Sequence, residues 1–205
     1  MLESPSWSIF RRRSHMALAA TKRYTASEYL ALEDKAEFKS EFINGEIISM
    51  AGASANHNKI ALNLCRLLPL AIGDQIYEIF MSDIRLWIPA YNRYTYPDVM
   101  VVAEEPVFVD QRQMEVTNPC LIVEILSSST QAYDHDSKFR QYRSIPSFQE
   151  YILVYQNGYE VDHYVKESED RWVLTTHQGE ASVIKLVSIQ LEIRLIDLYK
   201  HVKFD

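Results

Sequence analysis

The sequence predicts a mixed α/β domain: a central sheet with one helix ahead of it and another after its most buried strand. Three stretches carry that expectation. Residues 120–126 are apolar and rich in β-branched side chains, the mark of a strand covered on both faces. Asn44-Gly45 separates two short runs, the strongest short hairpin signal there is. Between residues 56 and 72, Ile60, Leu64, Leu67, Leu68 and Ala71 recur at helical spacing.

At 205 residues the chain suits one well-packed domain and is short for two. Residues 1–23 are set aside, and the domain is expected over 24–205. Arg11-Arg12-Arg13 precede an apolar stretch, 16–20, too short for a signal-peptide core. Ser14-His15-Met16 reads either as a vector-derived joint or as a natural start at Met16, and this extension is expected to be mobile.

Thr25-Ala26-Ser27-Glu28 is a capping box that opens a short helix to about Leu32. A charged linker, 33–39, leads to hairpin strands at 40–43 and 46–50. The helix over 56–72 stops at Gly73. Strands are expected at 76–80, 84–88 and 98–102, with a further short one at 107–109 and a loop over 111–118. After the buried strand and the turn 127–130, a helix runs toward Pro146. Residues 150–154 read as another buried strand, and 159–166 with 171–176 as a hairpin around 167–170. A last strand at 185–193 and a closing helix at 195–202 complete the domain.

Hydrophobic residues at 47% and charged residues at 24% are ordinary for a globular domain, and no apolar run approaches a membrane span. The net charge of −7 argues against general affinity for nucleic acid. It does not exclude a nuclease, because a local basic strip can bind while acids hold a metal. Cys65 and Cys120 lie far apart in apolar surroundings, with no C-x-x-C pair. Reduced thiols, a cytoplasmic setting and no membrane partner are the expectation.

One residue of the buried strand stands out. Glu124 is an acid in an apolar run, costly unless a cation, metal or donor answers it. Asp134, Lys138 and Tyr142 follow at i, i+4 and i+8, so a helix carries all three along one face. Read singly, Glu124 pairs with Lys138 as a buried ion pair, and Asp134–Lys138 is a common helical pair. Tyr142 is then a core aromatic, and Asp98, after Pro97, merely starts a strand. Read together, a strand acid followed by a lysine-bearing helix is a plausible hydrolytic centre.

The string Tyr96-Pro97-Asp98-Val99-Met100-Val101-Val102, followed by Ile122-Val123-Glu124-Ile125-Leu126 and then Asp134, Lys138 and Tyr142, resembles the Uma2 family. Members of that family are described as restriction endonucleases with the PD-(D/E)XK nuclease fold. The resemblance runs from about Tyr24 to the C-terminus and takes in residues 40–50, His57 and 149–154. It implies a restriction-endonuclease-like mixed central sheet flanked by helices, with DNA as substrate and Mg²⁺, or Mn²⁺ in its place, as cofactor.

By that resemblance Asp98 and Glu124 hold the metal, the backbone carbonyl of Ile125 adds a ligand, and Lys138 assists the attacking water. The usual motif has its lysine two residues after the acid, where this chain has Leu126; the resemblance implies that the amine comes instead from the next helix. Asp134 and Tyr142 are supporting groups. Glu41 is a further metal candidate or a solvated strand acid. His57, at a helix start, is a phosphate contact or an N-terminal cap. Asp83 approaches the same rim or caps a turn, and Arg85, Arg93 and Arg140 are phosphate contacts or surface charge. Where the family strand runs on into Asp-Pro, this chain has Tyr155-Gln156, and no role is expected there.

The functional expectation is therefore a Mg²⁺-dependent endonuclease, with a homodimer as its natural assembly. A catalytically inactive DNA- or protein-binding module on the same scaffold is the alternative. A carboxylate-pair glycosidase fares worst, since 12% aromatic content is easily absorbed by a core. No recognition-helix pattern is readable, so sequence specificity is not.

Overall fold

A capping box starts the fold. In the computed structural model, which describes residues 22–127 and 131–204, Thr25 Oγ1 accepts from Glu28 N at 3.2 Å and Glu28 Oε2 accepts from Thr25 N at 2.8 Å. These bonds open helix α1 (Ala26–Glu33). Strands β1 (Ser40–Ile43) and β2 (Glu46–Ser49) follow, joined through Asn44 (φ 45°) and Gly45 (φ 95°). Both residues occupy the left-handed region that a tight two-residue hairpin requires. Arg23, expected outside the domain, is tied to it by Nη1 donating to Asn44 O at 2.7 Å. The expectation for residues 1–21 lies outside the described residues.

Ser54 caps helix α2 (Ala55–Leu67) by accepting from His57 N at 3.0 Å. The helix ends at Leu67 and does not reach Ile72. Leu68 is extended (ψ 130°), because the ring of Pro69 excludes the helical conformation from the residue before it. The chain instead forms β3 (Ala71–Ile72) and turns at Gly73 (φ 60°) into β4 (Gln75–Met81).

Strand β5 (Arg85–Ile88), β6 (Arg93–Thr95), β7 (Val99–Ala103), β8 (Glu115–Val116) and β9 (Leu121–Leu126) come next. β6 and β8 were not expected, and the strand expected at 107–109 reduces to one bridge, Phe108 to Val116. After β9 the chain coils through α3 (Gln131–Tyr133), a π-helical turn (Asp134–Lys138) and α4 (Phe139–Tyr142). The turn expected at 127–130 lies outside the described residues from 128 onward.

β10 (Glu150–Tyr155), β11 (Glu160–Lys166) and β12 (Trp172–Gln178) match expectation. The single last strand does not: β13 (Val183–Leu186) and β14 (Leu191–Arg194) are a hairpin, with Gln190 at φ 52° before the second strand. The closing helix α5 (Leu195–Leu198) is correspondingly short.

Among the described residues the main sheet runs β12-β11-β10-β9-β7-β4-β3, antiparallel except for the β9–β10 pair. A second sheet runs β2-β1-β6-β5-β8, and β13-β14 stand apart. β9 is buried at every residue. Its alternate side chains enter two layers. Leu121, Val123 and Ile125 pack with Ile60, Leu64, Ile193 and Leu198. Ile122 and Leu126 pack with Tyr142, Phe148 and Tyr151. Glu124, in phase with Ile122 and Leu126, therefore faces the helical segment after β9, which Phe139 seats by stacking on Tyr151 at 5.6 Å.

Cys65 is half-buried and Cys120 buried, and both are free thiols. No described helix is long and apolar enough to cross a membrane.

Candidate active site

Strand pairing brings the two acids together. β7 and β9 are antiparallel with Val99 opposite Val123, so one further step of that register sets Asp98 opposite Glu124. Asp98 Oδ2 accepts from the backbone N–H of Ile125 at 2.7 Å, and His57 Nε2 lies 3.0 Å from the same oxygen. Capping thus does two things for His57: it fixes the start of α2 and aims the imidazole at a strand-end carboxylate.

Glu124 is answered from the helical side. Tyr142 donates its hydroxyl to Glu124 Oε1 at 2.7 Å, and Lys138 Nζ lies 3.1 Å from that oxygen. Lys138 is also 2.9 Å from Asp134 Oδ1, an ion pair that leaves this oxygen with no hydrogen bond among the described residues. Tyr151 donates to Asp134 O at 3.1 Å and so pins the π-helical turn. Such turns widen a helix locally and recur at functional sites. Asp134, Lys138 and Tyr142 therefore share a face, as their spacing predicts.

Burial pushes the Glu124 carboxyl up to about 8; Asp98 and Asp134 add to the effect, while Lys138 and Tyr142 oppose it. Burial by itself would lower the Lys138 ammonium, but Glu124, followed by Tyr142 and Asp134, overrides it and holds Lys138 well above the ordinary lysine value. The two shifts describe one coupled pair: it is ionic at high pH, and Glu124 takes up a proton as pH falls.

These groups border a cleft of about 980 Å³ whose lining includes His57, Asp98, Glu124, Ile125, Asp134 and Lys138. Tyr142 stands behind it in the core. Gln156 also lines the cleft, a position to which the sequence assigns no role. Its Nε2 donates to Leu126 O at 2.8 Å, and its Oε1 accepts from Ser54 Oγ, so it ties the end of β9 to the cap of α2. The available signal is a polar side chain just beyond a buried strand that runs parallel to β9.

Other expectations resolve differently. Glu41 borders the cleft, but Thr95 Oγ1 donates to its Oε1 and Arg93 Nη2 to its Oε2, at 2.9 Å for the latter. Arg93 and Arg85 are buried and face Glu41 and Glu115, so neither is surface charge nor free for a phosphate. Arg140 is exposed and pairs with Asp136 at 2.9 Å. Asp83 is exposed and bonded to Lys39, and it is not among the described residues that line the cleft.

The family profile of Uma2, described as "Putative restriction endonuclease", matches residues 26–196. The chain belongs to the Uma2 family. The Uma2 relatives include two uncharacterized proteins of Synechocystis sp. One, sll1609, is 56% identical over 170 residues, covering 83% of this chain and 96% of its own. The other, slr1290, is 33% identical over 192 residues, covering 93% and 99%. A crystal structure from Anabaena variabilis, named as a putative nuclease belonging to DUF820, superposes with a TM-score of 0.67 at 19% identity. It covers 86% of this Uma2 chain and 97% of its own, and shows that the two share a fold. The family match supports a nuclease assignment.

The donors suit a hard divalent ion. Among the described residues, both contacts to Asp98 fall on Oδ2 and both contacts to Glu124 fall on Oε1. Each carboxylate keeps a second oxygen without a hydrogen bond among the described residues. No cluster of three His, Cys, Asp or Glu side chains forms a cage among those residues. Mg²⁺ commonly needs no cage, being held by one or two carboxylates with water and substrate oxygens completing its shell. Glu41 does not fit this donor set, since an ion there must displace a buried arginine.

Proposed function

We propose that this chain is a Mg²⁺-dependent endonuclease that hydrolyses DNA phosphodiester bonds, with Mn²⁺ able to replace Mg²⁺. The observation that carries the reading is the convergence of Asp98, Glu124 and Lys138, from two adjacent strands and the following helix, on one cleft. Asp98 and Glu124 would hold the ion, with the Ile125 carbonyl as an additional ligand. An ion held there would supply Lewis-acid activation of the phosphate and of the attacking water. Lys138, kept protonated by its neighbours, offers N–H donors to charge that grows on the phosphate oxygens. His57 and the Ile125 N–H orient Asp98, and Tyr142 orients Glu124.

The second reading, a non-catalytic DNA- or protein-binding module, draws on the sealed Lys138–Glu124 pair and the net charge of −7. Supercoiled plasmid incubated with Mg²⁺ or Mn²⁺ separates the two. Nicking that disappears with EDTA and in Glu124→Ala supports the nuclease. DNA that is bound but never nicked with either ion supports the module.

A further inference from the structure

Part of the cleft lining is apolar and open to solvent. Phe38, Ile48 and Met50 border it while remaining 77%, 46% and 37% exposed. They come from the linker ahead of β1 and from β2 with the residue after it. Among the described residues the cations on the lining are few and engaged. Lys39 is bound to Asp83 and to Ser82 O at 3.0 Å, and Lys138 faces Glu124 and Asp134. Against them stand the carboxylates of Glu37, Glu41, Asp98, Glu124 and Asp134.

This lining is a poor match for double-stranded DNA. A duplex presents one negative charge per roughly 1.7 Å of its axis and is held mainly by lysine and arginine on its phosphates. Its base faces are stacked on one another and cannot meet an apolar lip. A single strand spreads its charge more thinly, so that an ion held by Asp98 and Glu124 would answer the phosphate at the site, and it leaves base faces free to stack on aromatic side chains.

We infer that the cleft accepts an unpaired nucleotide of single-stranded DNA, its base against Phe38 and Met50 and its phosphate toward Asp98 and Glu124. The inference rests on the nuclease reading and names the form of substrate that reading left open. Ser49, Gln131 and Asn157, also on the lining, supply uncharged polar groups for a base edge.

Fluorescence anisotropy tests this with the full chain, in Ca²⁺ as the oxygen-seeking divalent ion, using a 5′-labelled DNA strand and the same strand annealed to its complement. The single strand binds roughly ten-fold tighter than the duplex, and Phe38→Ala weakens single-strand binding by about ten-fold while leaving the duplex unchanged. Phe38→Trp, which keeps a stacking face, retains it. Phe38 is too exposed for either substitution to threaten the fold. Equal or tighter duplex binding, no measurable binding of either DNA, or an inert Phe38→Ala overturns the inference. Selective single-strand binding without metal-dependent nicking keeps the lip and sinks the nuclease; nicking with an inert Phe38 does the reverse.

Discussion

Lys138 Nζ sits 3.1 Å from Glu124 Oε1, with both side chains nearly sealed from solvent. Removing one member of such a pair strands a buried charge, whereas removing both need not. Lys138→Met should therefore cost roughly 3–5 kcal/mol at a pH where Glu124 is ionised. The double variant Glu124→Gln/Lys138→Met should recover only part of that loss, because Asp134 still loses its lysine. Urea unfolding of the two single variants and the double closes the cycle. Additive losses would show that the groups do not depend on one another.

The same pair makes stability depend on pH. Burial raises Glu124 from 4.5 to about 8, so across that interval the folded chain carries a proton that the unfolded chain has lost. This group's contribution is full below 4.5 and is lost as pH rises through about 8. Glu124→Gln should flatten that fall in urea midpoints. A metal ligand must be ionised, so nicking should rise over the interval in which stability falls.

His57 reaches the chemistry through Asp98, 3.0 Å away, and its role is positioning. His57→Ala should lower nicking by roughly 10–100-fold and raise the Mg²⁺ concentration needed for half-maximal rate. The urea midpoint should move little, since Ser54 still caps the helix. An unchanged Mg²⁺ requirement would assign His57 to something other than holding Asp98.

Glu150 anchors the other end of the sheet. Its buried carboxylate accepts from His163 Nε2 at 2.8 Å, from Val187 N at 2.7 Å and from Ser188 N at 2.8 Å, with Ser188 Oγ as a further donor. Burial pushes its carboxyl up, but these donors prevail and leave it below the ordinary 4.5. Its contribution is present above that value and lost as pH falls through the lower folded one. Glu150→Gln should cost roughly 1–3 kcal/mol for a stranded donor and make unfolding less acid-sensitive. Urea midpoints near neutrality and in acid read both effects.

The candidate site was largely legible because its parts are local: a strand-start acid, an acid inside an apolar run, and a lysine on the next helix. The buried arginines were not. Arg93 sits in a three-residue strand between β1 and β5, and its answering acid, Glu41, belongs to a distant part of the chain. Arg85 and Glu115 are separated in the same way. Local pattern reads an isolated arginine as surface charge, and only tertiary pairing reveals otherwise. The early end of α2 was signalled by Pro69, which the apolar spacing through Leu68 and Ala71 outweighed. The split of 183–194 into two strands hinges on Gln190 at φ 52°, a conformation a glutamine does not announce. Gln156 was passed over because Tyr155-Gln156 replaces the family's Asp-Pro, yet it joins β9 to α2 at the cleft.

The central claim is that Asp98 and Glu124 share one hard cation. Mn²⁺ binding followed by electron paramagnetic resonance, in the wild type, Asp98→Asn and Glu124→Gln, tests it most directly. The account predicts one bound ion per chain in the wild type and its loss in both variants, with the fold intact by circular dichroism. Binding that survives in either variant, or none in the wild type, would contradict it.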